Sequence, residues 1–176
     1  MVLALLAGGA AGLFTPHWVL APFSTPDWQE IAWPFARDAW PKGRAFRCTS
    51  SACGGRLEVY LRPKIGLCNC ATGVSGDAEV DAVSDVDLMS DDFVPLSNGE
   101  RVEFAGMKGI SRPYQLKLAG GTERRAAGVA LQHRCDLVAA ASLGEAAGSP
   151  QANAAFSALI EQPGVMNWLL DQMGKS

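Results

Sequence analysis

The sequence predicts an α+β fold, with an antiparallel sheet of about five or six strands, C-terminal helices packed on it and an N-terminal hydrophobic helix before it. Three observations lead to this prediction. Segments that alternate apolar and polar residues follow one another through the middle of the chain, with glycines between them. The carboxy-terminal part changes to helical spacing. Residues 1–23 contain no Lys, Arg, Asp or Glu.

The length and composition suit one globular domain with an appendage. The chain has 176 residues, of which 48% are hydrophobic and 19% charged, so it can bury a core and is too apolar for a disordered chain. Its net charge of −3 argues against general nucleic-acid binding, which needs a basic surface. We divide the chain into an apolar segment at 1–23, a Trp- and Pro-rich linker at 24–43 and a globular domain at 44–176.

The apolar segment at 1–23 is long enough to cross a bilayer as a helix. Pro16 interrupts it and is tolerated in a membrane helix as a kink. In the alternative interpretations, residues 2–14 are the apolar core of a secretory signal that is cleaved, or the segment is a buried helix of a soluble protein. The segment lacks the usual basic start, and Pro22 follows the outline of a cleavage site at 19–21, where proline is unfavourable. The sequence therefore favours an uncleaved membrane anchor.

Two signals disagree about the side of the membrane on which the domain lies. The bases that follow the apolar segment favour a cytoplasmic domain by the positive-inside rule. These bases begin well past the segment and can belong to the folded domain, whereas the clustered cysteines favour an oxidising compartment. We therefore predict a bacterial-type inner membrane location with the globular domain on the periplasmic side, and secretion after signal cleavage as the alternative.

The linker at 24–43 is dense in tryptophan. Its Ser-Thr-Pro-Asp sequence at 24–27 is typical of a helix start. Trp28, Trp33 and Trp40 either form an amphipathic segment that lies on its own domain or on the membrane surface, or dock onto an integral membrane protein. These three residues are the candidates for partner docking.

Alternating patterns predict the strands. In 56–62, Leu57, Val59 and Leu61 share one face and polar side chains share the other. A partner strand is predicted at 45–48, and further strands are predicted at 101–104, 112–118, 124–132 and 135–141, the last two forming a hairpin around His133 and Arg134. A short acidic helix is predicted at 77–83 and two helices after Ser149, separated by Pro163-Gly164.

Charge is unevenly spread along the globular domain. Acids without any base occupy 77–92, while bases dominate 37–64. We expect two oppositely charged faces in contact with solvent, and the alternative is the docking of a charged partner.

Four cysteines lie close together in the sequence, namely Cys48, Cys53, Cys68 and Cys70. We predict that they form two disulfides in an exported domain, with three pairings open. The alternative is a structural zinc site or a thiol-redox site made by the same four residues, although neither half has the usual two-residue spacing of a zinc knuckle. Cys135 is predicted to be a small buried residue of a strand.

No catalytic motif is recognisable. The sequence has no G-x-S-x-G, H-E-x-x-H or G-x-G-x-x-G pattern, and its two histidines are His17 and His133. His133 is two residues from Cys135, but no third group completes a catalytic arrangement. The sequence thus predicts a non-enzymatic, membrane-anchored, disulfide-stabilised domain without cofactor or small-molecule substrate. Its predicted role is an accessory or interaction subunit of a membrane protein assembly.

Overall fold

A computed structural model describes residues 26–36, 38–67 and 69–174. Within these residues the chain forms one antiparallel sheet of eight strands. The strands are β1 Trp28–Ile31, β2 Arg44–Cys48, β3 Leu57–Lys64, β4 Phe93–Pro95, β5 Glu100–Phe104, β6 Met107–Lys117, β7 Glu123–His133 and β8 Asp136–Leu143. Their order in the sheet is β1-β2-β3-β8-β7-β6-β4, and β5 pairs with β6 on the same side as β4. The helices are α1 Asp77–Val83, α2 Pro150–Ile160 and α3 Pro163–Met173, with single 3-10 turns at Ser51–Cys53 and Val86–Leu88.

The two C-terminal helices cover one face of the sheet. Alternation along β3 directs Leu57, Val59 and Leu61 into the main core, where they meet the apolar residues of α2 and α3. Ser149 caps α2 by accepting a hydrogen bond from the Ala152 amide at 3.2 Å. The predicted change to helical spacing after Ser149 is therefore confirmed.

The opposite face is covered by α1 and the segments around it. Two smaller apolar clusters form there, one around Val80 and Leu137 and the other around Val86 and Tyr114. Because alternate residues of β7 and β8 enter the main core and these smaller clusters, both faces of the sheet are buried. The domain thus has three layers, with the sheet in the middle.

The α+β class, the antiparallel sheet and the C-terminal helices are confirmed, but the number of strands was underestimated. The predicted helix start before Trp28 is wrong within the described residues, because Trp28–Ile31 is an edge strand paired with β2. The strand β4 was also missed, since it has only three residues and includes Pro95. Both elements are held by pairing with a longer neighbour, which no local pattern reveals.

The predicted hydrophobic segment at 1–23 lies outside the described residues. None of the helices in the described part of the chain combines the length and the hydropathy that a bilayer span requires.

Candidate functional site

One disulfide lies inside the core. Cys48 at the end of β2 is bonded to Cys53 in the following 3-10 turn, and both residues are 0% exposed. The hydroxyl of Ser50 lies beside both sulfurs, 3.3 Å from Cys48 Sγ and 3.9 Å from Cys53 Sγ. This bridge closes the turn between β2 and β3 beneath the C-terminal helices, so its role is structural.

A second disulfide lies at the surface. It joins Cys70, in the loop that follows β3, to Cys135, in the turn between β7 and β8, and both cysteines are exposed. The loop is also tied to β8 by a hydrogen bond from the Gly66 amide to Asp136 Oδ1, at 2.8 Å. In this turn, Arg134 has a positive φ of 57°. Loop and turn are thus held together at one edge of the domain.

The structure divides the predicted cysteine cluster between two places. Cys48–Cys53 lies at the start of β3 and Cys70 beyond its end, and the strand between them is roughly 23 Å long. Cys48, Cys53 and Cys70 therefore do not meet at one site. Cys68 lies outside the described residues.

The expectation for Cys135 was wrong, because the residue is exposed and bonded to a cysteine 65 positions earlier. The pairing of β3 with β8 explains the bond, because it brings the end of β3 next to the start of β8, where Lys64 pairs with Leu137. The order of the strands in the sheet has no local signal in the sequence, so this partner could not be predicted from the pattern of residues.

A resident metal has no evident ligand set in the described part of the chain. There, the His, Cys, Asp and Glu side chains form no group of three or more that suits a metal ion. The proposed zinc ligands Cys48, Cys53 and Cys70 are engaged in disulfides in this structure.

The three candidate tryptophans lie on two faces of the sheet. Trp28 packs against the main core, and its indole nitrogen donates to the Ala155 carbonyl of α2 at 3.2 Å. Trp33 and Trp40 lie on the other face, over cationic groups of β3: the Arg62 guanidinium is 5.8 Å from the Trp33 ring and the Lys64 ammonium 5.6 Å from the Trp40 ring. Each tryptophan is half-buried against its own domain, and docking onto a partner stays a prediction.

A buried group of charges holds the connection between β1 and β2 against the sheet. Arg62 is 2% exposed and makes paired contacts to Asp85, at 2.6 and 2.8 Å, and to Asp38, at 2.9 and 2.7 Å. Lys64 adds a contact of 2.7 Å to Asp85 and donates to the Val83 carbonyl. The hydrogen bonds from Arg62 lower the pKa of Asp38 to about 2.

Opposite charges from the basic run at 37–64 and the acidic run at 77–92 therefore pair with each other. Asp85 belongs to the acidic run and Arg62 and Lys64 to the basic one, so the expectation of two separate solvated faces is wrong for these residues. Two further acids of the run, Asp77 and Asp81, bind Arg112 of β6 at 3.5 and 2.6 Å. Of the other acids in the run, Glu79 is half-buried and accepts a hydrogen bond from the Ser75 amide at 2.8 Å, and those at 87, 91 and 92 are exposed.

Two buried tyrosines, each hydrogen-bonded to a carboxylate, are kept in their neutral form. Tyr60 donates to Glu58 at 2.6 Å and Tyr114 donates to Asp81 at 2.5 Å. Burial raises the pKa of both phenols, and the hydrogen bonds to carboxylates raise it further. Both tyrosines therefore stay protonated and act as hydrogen-bond donors to these carboxylates.

A cleft of about 390 Å³ opens between the Cys70 loop and the hairpin of β5 and β6. The loop supplies one wall of the cleft and the strands supply the other. Its lining includes Thr72, Val74, Arg101, Glu103, Lys108 and Gln132.

Comparison with known proteins gives no relative: no protein-family model, no curated protein and no solved structure matches the chain.

Proposed function

We propose that this chain is a non-enzymatic, membrane-anchored domain that resides on the periplasmic side of a bacterial-type inner membrane and serves as an accessory or interaction subunit of a membrane protein assembly. The observation that carries the proposal is the pair of intramolecular disulfides. Cysteines paired in this way persist in oxidising compartments and are reduced in the cytosol. The proposal draws the anchor from the apolar segment at 1–23.

The contacts of the buried titratable groups support a non-enzymatic role. The two cations buried on β3, Arg62 and Lys64, are paired with the Asp85 carboxylate, which they share. The one candidate nucleophile with a histidine nearby, Cys135, has its sulfur bonded to Cys70. Such groups fix the fold of the domain and leave no free acid–base pair among them.

We place the partner's docking surface on the β1–β2 connection. Trp33 and Trp40 are half-buried, so part of each side chain packs against its own domain and part is available to a partner. The Asp38–Arg62 ion pair holds this connection in place between them, so a partner would meet a preformed surface. Tryptophan contributes strongly to interfaces when it is held in this way.

Affinity capture from membranes tests the proposed interaction. The full chain carries a C-terminal tag, is made in its native compartment and is extracted in mild detergent. We expect a specific membrane protein to be recovered with the native chain and lost from the Trp33→Ala/Trp40→Ala variant. Trp168→Ala is the matched control, because Trp168 is half-buried on the opposite face of the sheet, beside Arg44. Recovery of a lone monomer, or equal loss in both variants, would contradict the proposal.

A further inference from the structure

The two disulfides differ in their access to solvent. Cys48 and Cys53 are 0% exposed within the main core, whereas Cys70 and Cys135 are both exposed. Thiol–disulfide exchange begins when a thiolate reaches one of the sulfurs of the bridge, so the rate depends on access to that sulfur. The buried bridge meets a thiolate only after the core opens, and the surface bridge meets it in the folded protein.

We propose that Cys70–Cys135 is a redox site whose substrates are thiols, and that Cys48–Cys53 is a permanent structural bridge. A thiolate attacks the sulfur of Cys70 or Cys135, the bond between the two cysteines breaks, and the released thiolate takes a proton from water. A second thiol then attacks the mixed disulfide and is oxidised with the first one to a disulfide. Two electrons thus pass from two thiols to the protein, which gains two cysteine thiols.

Residues around the bridge suit the approach of a thiol. Arg134, next to Cys135 in the turn, is exposed, so this part of the surface carries a positive charge that favours an incoming thiolate. Ile65 and Leu67 in the Cys70 loop are large apolar residues with 37% and 40% exposure. They offer an apolar contact in the same loop to a protein that carries a dithiol, while a small thiol would need only the exposed cysteines.

Reduction would change one wall of the cleft. The loop that carries Cys70 is held at its two ends, by the hydrogen bond from Gly66 to Asp136 and by Val74, which is buried in the cluster around Val80. Between these points the disulfide is the covalent tie to the β7–β8 turn. Opening it removes this tie from the part of the loop that includes Thr72, so we expect the cleft beside Arg101 and Lys108 to change shape while the sheet stays intact.

The test uses purified, oxidised full chain in which both disulfides have been verified by peptide mapping. The Cys68→Ser variant is used throughout, so that every newly released thiol comes from one of the two bridges. Reduced glutathione is added in one arm and reduced thioredoxin in the other, at equal thiol concentration, followed by native alkylation and peptide mass spectrometry. We expect Cys70 and Cys135 to be labelled at least about ten times faster than Cys48 and Cys53 in at least one arm.

The comparison of the two arms identifies the thiol substrate. If thioredoxin labels Cys70 and Cys135 faster than glutathione does, the substrate is a protein dithiol, and equal rates in the two arms assign small thiols.

Limited proteolysis measures the consequence for the loop. Cleavage within 67–73 is expected to become faster after reduction and in the Cys70→Ala/Cys135→Ala variant, while circular dichroism stays native.

Labelling of both bridges at the same rate, or no labelling before the chain unfolds, would overturn the inference. The inference rests on the proposed function in one respect: both require that the domain forms its disulfides. Because the test starts from oxidised protein, its failure leaves the proposed compartment untouched, whereas a chain isolated without disulfides refutes the compartment.

Discussion

At the level of single residues, Asp85 combines burial, a positive φ and ion pairs to two cations. It is 5% exposed, has a positive φ of 64° and binds both Arg62 and Lys64. Aspartate and asparagine tolerate such a backbone better than most residues do. Burial makes each of these charges expensive unless the partners stay together, so the group acts as a unit that fixes the end of α1 against β3.

Removing the charge of Asp85 is predicted to destabilise the domain strongly. Asp85→Asn keeps the side-chain shape but leaves Arg62 and Lys64 buried without their shared carboxylate, which should lower the free energy of unfolding by about 3–5 kcal/mol. The matched change is Asp38→Asn, because Asp38 binds the same guanidinium but its side chain is 31% exposed. That change should cost about 1 kcal/mol or less. Urea unfolding measures both, and equal losses would contradict the prediction.

The contribution of Asp38 should depend on pH in the acid range. Its pKa is lowered in the folded state from 3.8 to about 2, chiefly by hydrogen bonds from Arg62. A carboxyl with a lowered folded pKa stabilises the fold above its unfolded pKa, and this stability is lost as the pH falls through the folded value. The difference in unfolding free energy between the native chain and Asp38→Asn should therefore be constant above about pH 5 and shrink between about pH 4 and pH 2. Urea titrations across this range measure it, and a difference independent of pH would show that the ion pair contributes nothing.

The cysteines show what residue types alone can predict about the disulfides. Clustering predicted disulfides, and two are present. The partner of Cys70 was not predictable from spacing, since Cys135 joins it only through the pairing of β3 with β8. The buried pair of Arg62 with Asp85 was missed for the same reason, because its members are 23 positions apart and lie on different elements.

Among the elements, β6 and β7 form the longest ladder, with eleven residues in each strand. Their close approach depends on Gly109 in β6. A Cβ at Gly109 would collide with the backbone carbonyl of Ala130 and lie 2.9 Å from the Cα of Leu131. The neighbouring backbone cannot yield as a flexible side chain would, so glycine is required at this position.

Gly109→Ala is predicted to lower the free energy of unfolding by about 1–3 kcal/mol, because the two strands must shift to admit the methyl group. Gly164→Ala is the matched control: its Cβ would meet nothing within 4 Å, and it lies in the first turn of α3. That change should be neutral or stabilise by up to about 1 kcal/mol. Thermal or urea unfolding of the two variants provides the comparison. A neutral Gly109→Ala would show that β6 and β7 are not packed so closely.

Elements with a strong local pattern were predicted well. The alternation in 56–62 is found in β3, the hairpin around His133 and Arg134 is found in β7 and β8, and the acidic helix at 77–83 is α1. The first half of β6 was missed, because Gly109 and the preceding Gly106 resemble loop punctuation. The short strands β1 and β4 depend on pairing with longer neighbours and have no pattern of their own.

For the whole molecule, the two disulfides connect the fold to the proposed location. One bridge closes the β2–β3 turn inside the core, and the other joins segments 65 residues apart at the surface. A domain with this arrangement gains stability only where thiols stay oxidised. The proposed periplasmic position and the proposed reactivity toward thiols both require that these bridges form in the cell.

Intact mass spectrometry tests whether the two disulfides form in the cell. The full chain is isolated from its native compartment and alkylated before and after reduction. Since four of the five cysteines are paired, we predict a mass four hydrogens below that of the reduced chain and one cysteine, Cys68, open to alkylation before reduction. Peptide mapping should join Cys48 to Cys53 and Cys70 to Cys135. Five alkylated cysteines in the unreduced protein would contradict both the disulfides and the proposed oxidising compartment.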